Sequence, residues 1–338
     1  MILRFLENRV WRAYYGGERL DAFEGKTECV RGRRPEEWIA STVTAFNADR
    51  PGEQEGISVC LDGQPFDRVL LENREKLLGG EEAMSILVKL LDAGERLVIQ
   101  CHPTVPFAKK YWHKPFGKTE CWYILSAEED AHVYLGFREG ITREHWKDLF
   151  EKQDIPGMLS CLHRHPVKPG DLYFVDGGVP HAIGGGCLMV ELQEPSDLMI
   201  IPERVTPSGV VLADEKLHGG IGFEKMWDCF SYDGMSQEEI RRKYFRHVLP
   251  RENELCNVVD SSLTDRFAMQ LLHVTRSADT DFGGRYAVGV VIEGSGMVSE
   301  GGRQLPVRKS DSFFISADTG PLTWQGNDLT VLLCFSHL

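Results

Sequence analysis

Three stretches of this chain carry side chains able to hold a divalent metal: VIQCHP at 98–103, GKTECWYIL at 117–125, and VKPGDLYFVDGGVPH at 167–181. Alternate side chains of a strand share a face, so Gln100 and His102 point the same way, one pleat apart. Pro103 ends that strand. In the second stretch Lys118, Glu120 and Trp122 share a face. Glu120 can act as a third ligand, with Lys118 beside it to meet an anionic substrate. In the third stretch Lys168-Pro169-Gly170 reads as a turn, Asp171–Val175 as an apolar strand and Gly177-Gly178 as a second turn. His181 then folds back onto the sheet as a fourth ligand. Two neutral imidazoles, one amide oxygen and one carboxylate leave a divalent ion with residual positive charge. Such a site is a Lewis acid for a carbonyl or enediolate oxygen. Zinc suits these donors, and manganese and iron are compatible with them. Singly, each residue has a plainer reading: His102 as a core or surface histidine, Glu120 as a solvent-facing strand residue, His181 as a turn cap. Their order in one pattern favours the metal.

The elements that must position these residues are mainly strands. Short apolar runs at 96–100, 121–125, 132–135, 171–175, 188–192, 286–292, 312–315 and 329–335 lie between turn signals in a chain with 34 glycines. They do not alternate regularly with helices, which favours a sandwich or barrel over a doubly wound sheet. Three segments read as helical. Residues 73–90 place Leu77, Leu78, Met84, Ile86, Leu87 and Leu90 at helical spacing. Residues 142–153 begin at Thr142 and bury Trp146, Leu149 and Phe150. Ser236 with Glu239 has capping-box spacing and starts a helix towards Phe245. The organisation expected is two jelly-roll or β-sandwich modules with helical insertions. Residues 1–205 form the metal-binding module, with insertions near 73–90 and 142–153. Residues 206–250 form a connecting helical segment, and 251–338 a second module without metal ligands.

Bulk composition narrows the function. The chain has 338 residues and a formal charge of −13, which argues against nonspecific nucleic-acid binding. A few basic side chains focused into a cleft can still hold a phosphate. No apolar run is long enough for a membrane helix, and Arg4 and Glu7 interrupt the first residues where a secretory segment would need apolar ones. The nine cysteines are scattered and odd in number, with no CxxC pair, as expected of buried free thiols in a cytoplasmic protein. The oligomeric state is open, and a monomer is compatible with the sequence.

Other motifs read as structural. Cys161-Leu162-His163-Arg164-His165 precedes the Lys168 turn without a companion carboxylate and is expected in a surface loop. Residues 294–302 (GSGMVSEGG) read as a hairpin. Met226, Trp227 and Phe230 read as packing. GKTEC occurs twice, at 25–29 and 117–121, but the flanks differ, so the first copy is coincidental.

Gly170 followed by Asp176, Gly178 and His181 resembles the second cupin motif, with Asp176 where a proline usually stands. Q-x-H-P, then G-K-T-E-C-W-Y, then V-K-P-G-D…H-A resembles type I mannose-6-phosphate isomerases, over the N-terminal two-thirds of the chain. Glu37-Trp38 with Ser41, and Val10-Trp11, are similar to that family's early segments. The resemblance implies a cupin fold and a metal-dependent isomerase of mannose 6-phosphate and fructose 6-phosphate. It places the ligands on Gln100, His102, Glu120 and His181, and the substrate contacts on Ser41 and Lys118. It also matches an acidic residue to Glu191, which with Lys118 is a candidate base. One departure stands out: where the family carries an arginine after S-D, this chain has Ile201. Arg204, three residues on, is the candidate replacement. An aliphatic side chain does not substitute for a guanidinium. A sugar-phosphate-binding protein without turnover, or a metal-dependent cupin oxygenase or epimerase, are the alternatives.

Overall fold

The computed structural model describes residues 1–47, 50 and 54–337. The chain is mainly β, in antiparallel sheets. A seven-stranded sheet runs, in spatial order, Phe245–His247, Asp171–Val175, Glu120–Ala127, Cys187–Gln193, Leu87–Ala93, Glu36–Ile39 and Arg9–Val10. A three-stranded sheet of Leu162–Pro166, His132–Phe137 and His181–Ile183 packs over one face of it. A second large sheet, with Ser312–Ile315, Ala287–Glu300, Leu322–Phe335, Ala268–Val274 and Leu255–Val259 in order, makes up the C-terminal module.

Every residue of Leu87–Ala93 and of Cys187–Gln193 is buried. One face of these central strands looks into the first sandwich, and the other packs on the C-terminal sheet. Tyr123, Val190 and Leu192 share a core cluster with Val288, Phe314 and Leu332 across that junction. A fully buried side chain of this size contributes about 1.5–3 kcal/mol, so the second module is part of what holds the first in shape.

Several expectations need correction. The helix placed at 73–90 is instead Phe66–Leu78, and Leu87 and Leu90 lie in the strand Leu87–Ala93. Gly79, at φ 63°, ends the helix in the left-handed conformation. An apolar run buried on both faces has no period that distinguishes strand from helix. Residues 96–100 form no regular strand; Gln100 and Cys101 make isolated bridges to His181 and Ile200. The Cys161–His165 stretch is not a surface loop. It enters the strand Leu162–Pro166, where His163 and His165 are buried. Nor do the module boundaries hold strictly. Ile2–Leu3 pairs with Ser312–Ile315 of the C-terminal sheet, while Phe245–His247 extends the first sheet beside Asp171–Val175.

Local capping signals are obeyed. Thr142 accepts from the backbone of His145 and opens the helix Arg143–Lys152. Ser236 and Glu239 complete a reciprocal capping box at the start of Gln237–Tyr244. Residues 294–302 sit in the hairpin of Ala287–Glu300 with Arg303–Arg308.

Candidate active site

The three sequence stretches converge because two glycines let them approach one backbone corner. A Cβ on Gly117 would lie 2.6 Å from the carbonyl oxygen of Pro103, and one on Gly177 2.8 Å from the same atom. Lys118 N donates to Pro103 O at 2.9 Å, and Gly178 N donates to His102 O at 2.7 Å. The QCHP segment is thereby clamped between the other two. Gln100 and His181 exchange both backbone hydrogen bonds at 2.9 Å.

The result is a buried cluster of His102, Glu120 and His181 whose ligand atoms all lie within 4.8 Å of one another. Nε2 of His102 is 3.2 Å from Glu120 Oε2, and Nε2 of His181 is 3.3 Å from Oε1. The opposite ring nitrogens fix the tautomers. Nδ1 of His102 donates to Leu198 O at 3.1 Å, and Nδ1 of His181 donates to Val179 O at 2.9 Å. A carbonyl only accepts, so each Nε2 presents a lone pair towards Glu120. Burial pushes His102 down to about 3, against the pull of Glu120, so its ring is neutral near pH 7. Burial also opposes ionising Glu120, but the neighbouring Lys118 ammonium helps to hold its carboxyl well below the usual range.

This donor set fits a cation. Two imidazole lone pairs and a carboxylate face one another in the dry interior. Neither Glu120 oxygen nor His181 Nε2 makes a formed hydrogen bond among the described residues. Each such buried acceptor costs about 1–3 kcal/mol if left unmet. Lys118 Nζ, 2.9 Å from Glu120 Oε2, supplies the ammonium beside them.

Next to the cluster lies a cavity of about 70 Å³. Gln100 and Lys118 form its inner end, and Glu191 and Lys89 part of its sheet wall. Cross-strand pairing sets Trp38, Lys89, Glu191 and Trp122 in one row across the sheet. Lys89 Nζ is 2.8 Å from Glu191 and 3.8 Å from Glu36. Burial raises the Glu191 pKa, with Lys89 acting against it. Arg12 reaches the cavity from the N-terminal segment and spans Asp197 with two N–H groups at 3.2 and 3.1 Å. Its Nε donates to Glu36 at 2.9 Å. Burial opposes ionising Glu36, yet Arg12 and Lys89 outweigh it and keep the carboxyl ionised.

The residues singled out in the sequence separate into two groups. His102, Glu120 and His181 meet, with Gln100, Lys118 and Glu191 on the adjoining cavity wall. Two others are not brought there. Ser41 is buried with its hydroxyl accepting from Val43 N at 3.1 Å and is not among the cavity-lining residues. Arg204 does not replace the missing arginine. It pairs with Asp214 at 3.0 Å on the surface and lies over the rings of Phe150 and Phe223. Ile201 does line the cavity, buried, with its N–H bonded to Leu217 O at 2.8 Å. Arg12, Glu36, Lys89, Asp197 and Lys216 escaped the sequence reading. Lys89 had a signal, a lone lysine in the apolar run LVKLLDA, but assigning that run to a helix hid its partner.

Comparison with known proteins agrees with this architecture. A family model described as the cupin domain of mannose-6-phosphate isomerase matches residues 261–335, within the C-terminal module. The chain is 29% identical over 273 residues to a Bacillus subtilis protein named "Probable mannose-6-phosphate isomerase GmuF", covering 79% of this chain and 80% of that one. It is 32% identical over 199 residues to the mannose-6-phosphate isomerase of Streptococcus mutans, covering 57% and 58%. Its fold matches the crystal structure of the Bacillus subtilis mannose 6-phosphate isomerase with a TM-score of 0.74 at 21% identity, over 98% and 99% of the two chains. The apo enzyme of Salmonella typhimurium matches with a TM-score of 0.73 at 15% identity, over 100% and 99%. Family model and relatives alike make this chain similar to the cupin-type mannose-6-phosphate isomerases, and its fold is theirs.

Proposed function

We propose that this chain interconverts mannose 6-phosphate and fructose 6-phosphate through an enediol, with one divalent metal, zinc by its donor chemistry, held by His102, Glu120, His181 and Gln100. The observation that carries the reading is the buried lone-pair cluster beside Gln100 and Lys118, which line a cavity holding four cations, Arg12, Lys89, Lys118 and Lys216, against three carboxylates, Glu36, Glu191 and Asp197. On a chain of net charge −13, that local balance suits a phosphate ester.

Isomerisation moves a proton between C1 and C2 while negative charge develops on the neighbouring oxygens. A metal bound at the cluster would stabilise that charge. Glu191 takes the proton from one carbon and returns it to the other. Its burial brings the carboxyl closer to the range where a base works near neutral pH, and a positioned base is worth about 10²–10⁴ in rate. Lys89 orients that carboxylate from behind. Lys118, between the cluster and the cavity, donates to a sugar oxygen as charge grows there, worth about 10²–10³ by analogy with oxyanion donors. The apolar walls from Leu97, Met199 and Leu212 limit water around the enediol.

A coupled assay converting mannose 6-phosphate to fructose 6-phosphate, run with and without chelator, tests this. Activity lost to the chelator and restored by zinc supports the reading; no turnover by metal-loaded protein overturns it. Ile201 in the cavity wall favours one second reading, a sugar-phosphate binder without turnover. Binding of mannose 6-phosphate without conversion would decide for it.

A further inference from the structure

Two buried imidazoles lie outside the metal cluster. His163 and His165 project from the same face of Leu162–Pro166 and are 3% and 5% exposed. Nε2 of His163 donates to Met235 O at 2.7 Å, which leaves its Nδ1 as a bare lone pair. That Nδ1 and Nε2 of His165 are buried without a hydrogen-bond partner among the described residues. The two rings are 6.2 Å apart, and that of His165 is 6.0 Å from Tyr173. Burial pushes His165 down to about 4 and lowers His163, so both rings are neutral near pH 7.

Beside His165 the two sheets of the first sandwich part. Leu162–Pro166 is the edge of one and Phe245–His247 the edge of the other. The gap is a groove of about 570 Å³, lined among others by His165, Lys168, Tyr173, Arg241, Phe245 and His247. Its floor is aromatic, with the Tyr173 and Phe245 rings 5.2 Å apart and the Arg241 guanidinium 5.2 Å from the Phe245 centroid. The groove's carboxylate, Asp171, is engaged by His247 Nδ1 at 2.8 Å and by the backbone N–H of Lys168 at 3.1 Å. Among the described residues the side chains of Lys168 and Arg241 have no ion-pair partner, so two cations outnumber the one engaged carboxylate, Asp171, in the groove.

We propose that this groove binds a small polyhydroxylated anion, a sugar phosphate or sugar acid, at a site separate from the metal cavity. Arg241 and Lys168 hold the anionic group, because a planar guanidinium and an ammonium give charge-assisted hydrogen bonds to it. The ring or carbon chain lies against Tyr173 and Phe245, and a ligand hydroxyl meets the ring nitrogen of His165. A bare inorganic anion leaves the aromatic floor and the imidazole unused, and an uncharged sugar leaves both cations unmet. The groove and the cavity stand at two ends of one cross-strand row. Tyr173 pairs with Phe245 on one side and with Trp122 on the other, and Trp122 pairs with Glu191. The proposal does not rest on the isomerase reading.

The test is an NMR titration of the full chain, metal-loaded and chelated, following the imidazole nitrogens of His163 and His165 with 6-phosphogluconate as the probe. The expected result is a saturable shift at His165 with a Kd below about 1 mM. A Lys168→Ala/Arg241→Ala variant, changed only at exposed positions, weakens it about tenfold or more, as loss of charged hydrogen bonds does. That variant keeps the wild-type kcat and KM for mannose 6-phosphate. Inorganic phosphate and mannitol each bind at least about tenfold more weakly than the probe. Any one of three results overturns the proposal: no shift at millimolar probe, as for histidines facing ordered water only; an equal response to inorganic phosphate; or undiminished binding by the double variant. Because the shift is read in chelated protein too, loss of isomerase activity cannot imitate loss of this site.

Discussion

The ammonium of Lys118 lies 2.8 Å from Nε2 of His102. That nitrogen is the lone pair the cluster would offer a metal, so Lys118 and a divalent ion compete for it. A metal held by His102, Glu120 and His181 would displace the Lys118 ammonium towards the cavity it already lines.

Replacing Lys118 by Met therefore separates metal binding from turnover. Divalent metal content stays at about one per chain, while kcat falls by about 10² or more, the usual cost of losing a charged transition-state donor. Elemental analysis beside steady-state kinetics checks this, and parallel loss of metal and activity would contradict it.

A bound metal would also stabilise the fold. Zinc at 100 times its Kd adds about 2.7 kcal/mol to the native state, which appears as a rise in Tm of a few degrees. His181→Ala abolishes both the rise and stoichiometric binding, since it removes one of three ligand atoms within 4.8 Å. Calorimetry with and without chelator reads it.

Ile201→Arg does not raise turnover. The cavity wall around Ile201 already contains Arg12 and Lys216, and a guanidinium entering the Ile201–Leu212–Leu217 cluster displaces apolar packing. The expected cost is about 1–3 kcal/mol, seen as a lower Tm. A kcat/KM above wild type would show that the resident cations do not suffice.

Arg204→Ala leaves kcat/KM within about twofold of wild type. Its ion pair with Asp214 is partly exposed and its ring contacts lie outside the cavity. Stability falls by about 1 kcal/mol or less. A large kinetic loss would return Arg204 to the site.

Acid sensitivity has an identifiable source in His165. Its folded-state pKa of about 4 lies below the ordinary value of about 6.5 for an unfolded histidine. As pH falls from about 6.5 towards 4 the unfolded chain binds the proton first, so stability is lost over that window, at up to about 1.4 kcal/mol per pH unit. Urea unfolding at pH 7.5 and pH 5 measures it. In His165→Phe the pH 5 deficit shrinks by about one proton's slope, and an unchanged deficit would place the source elsewhere.

Sequence alone determined the sheet-rich architecture and singled out His102, Glu120 and His181, which the fold brings together. Alternation put Glu120 and Trp122 on one face, glycine turns marked the return of His181, and the capping residues Thr142 and Ser236 set helix starts whose hydrogen bonds are local. These are short-range facts, written in neighbouring residues. What only the tertiary structure decided is long-range. Lys89 meets Glu191 because two strands about 100 positions apart pair in one register, and Arg12 meets Asp197 across 185 positions. The run LVKLLDA reads equally as helix or strand until a sheet buries both of its faces. Arg204 and Ser41 sat well in the motif but turn to other partners, because which way a side chain points depends on what packs against it. The groove at His165 was hidden for the same reason: only the packing of two sheets leaves its Nε2 buried without a partner among the described residues.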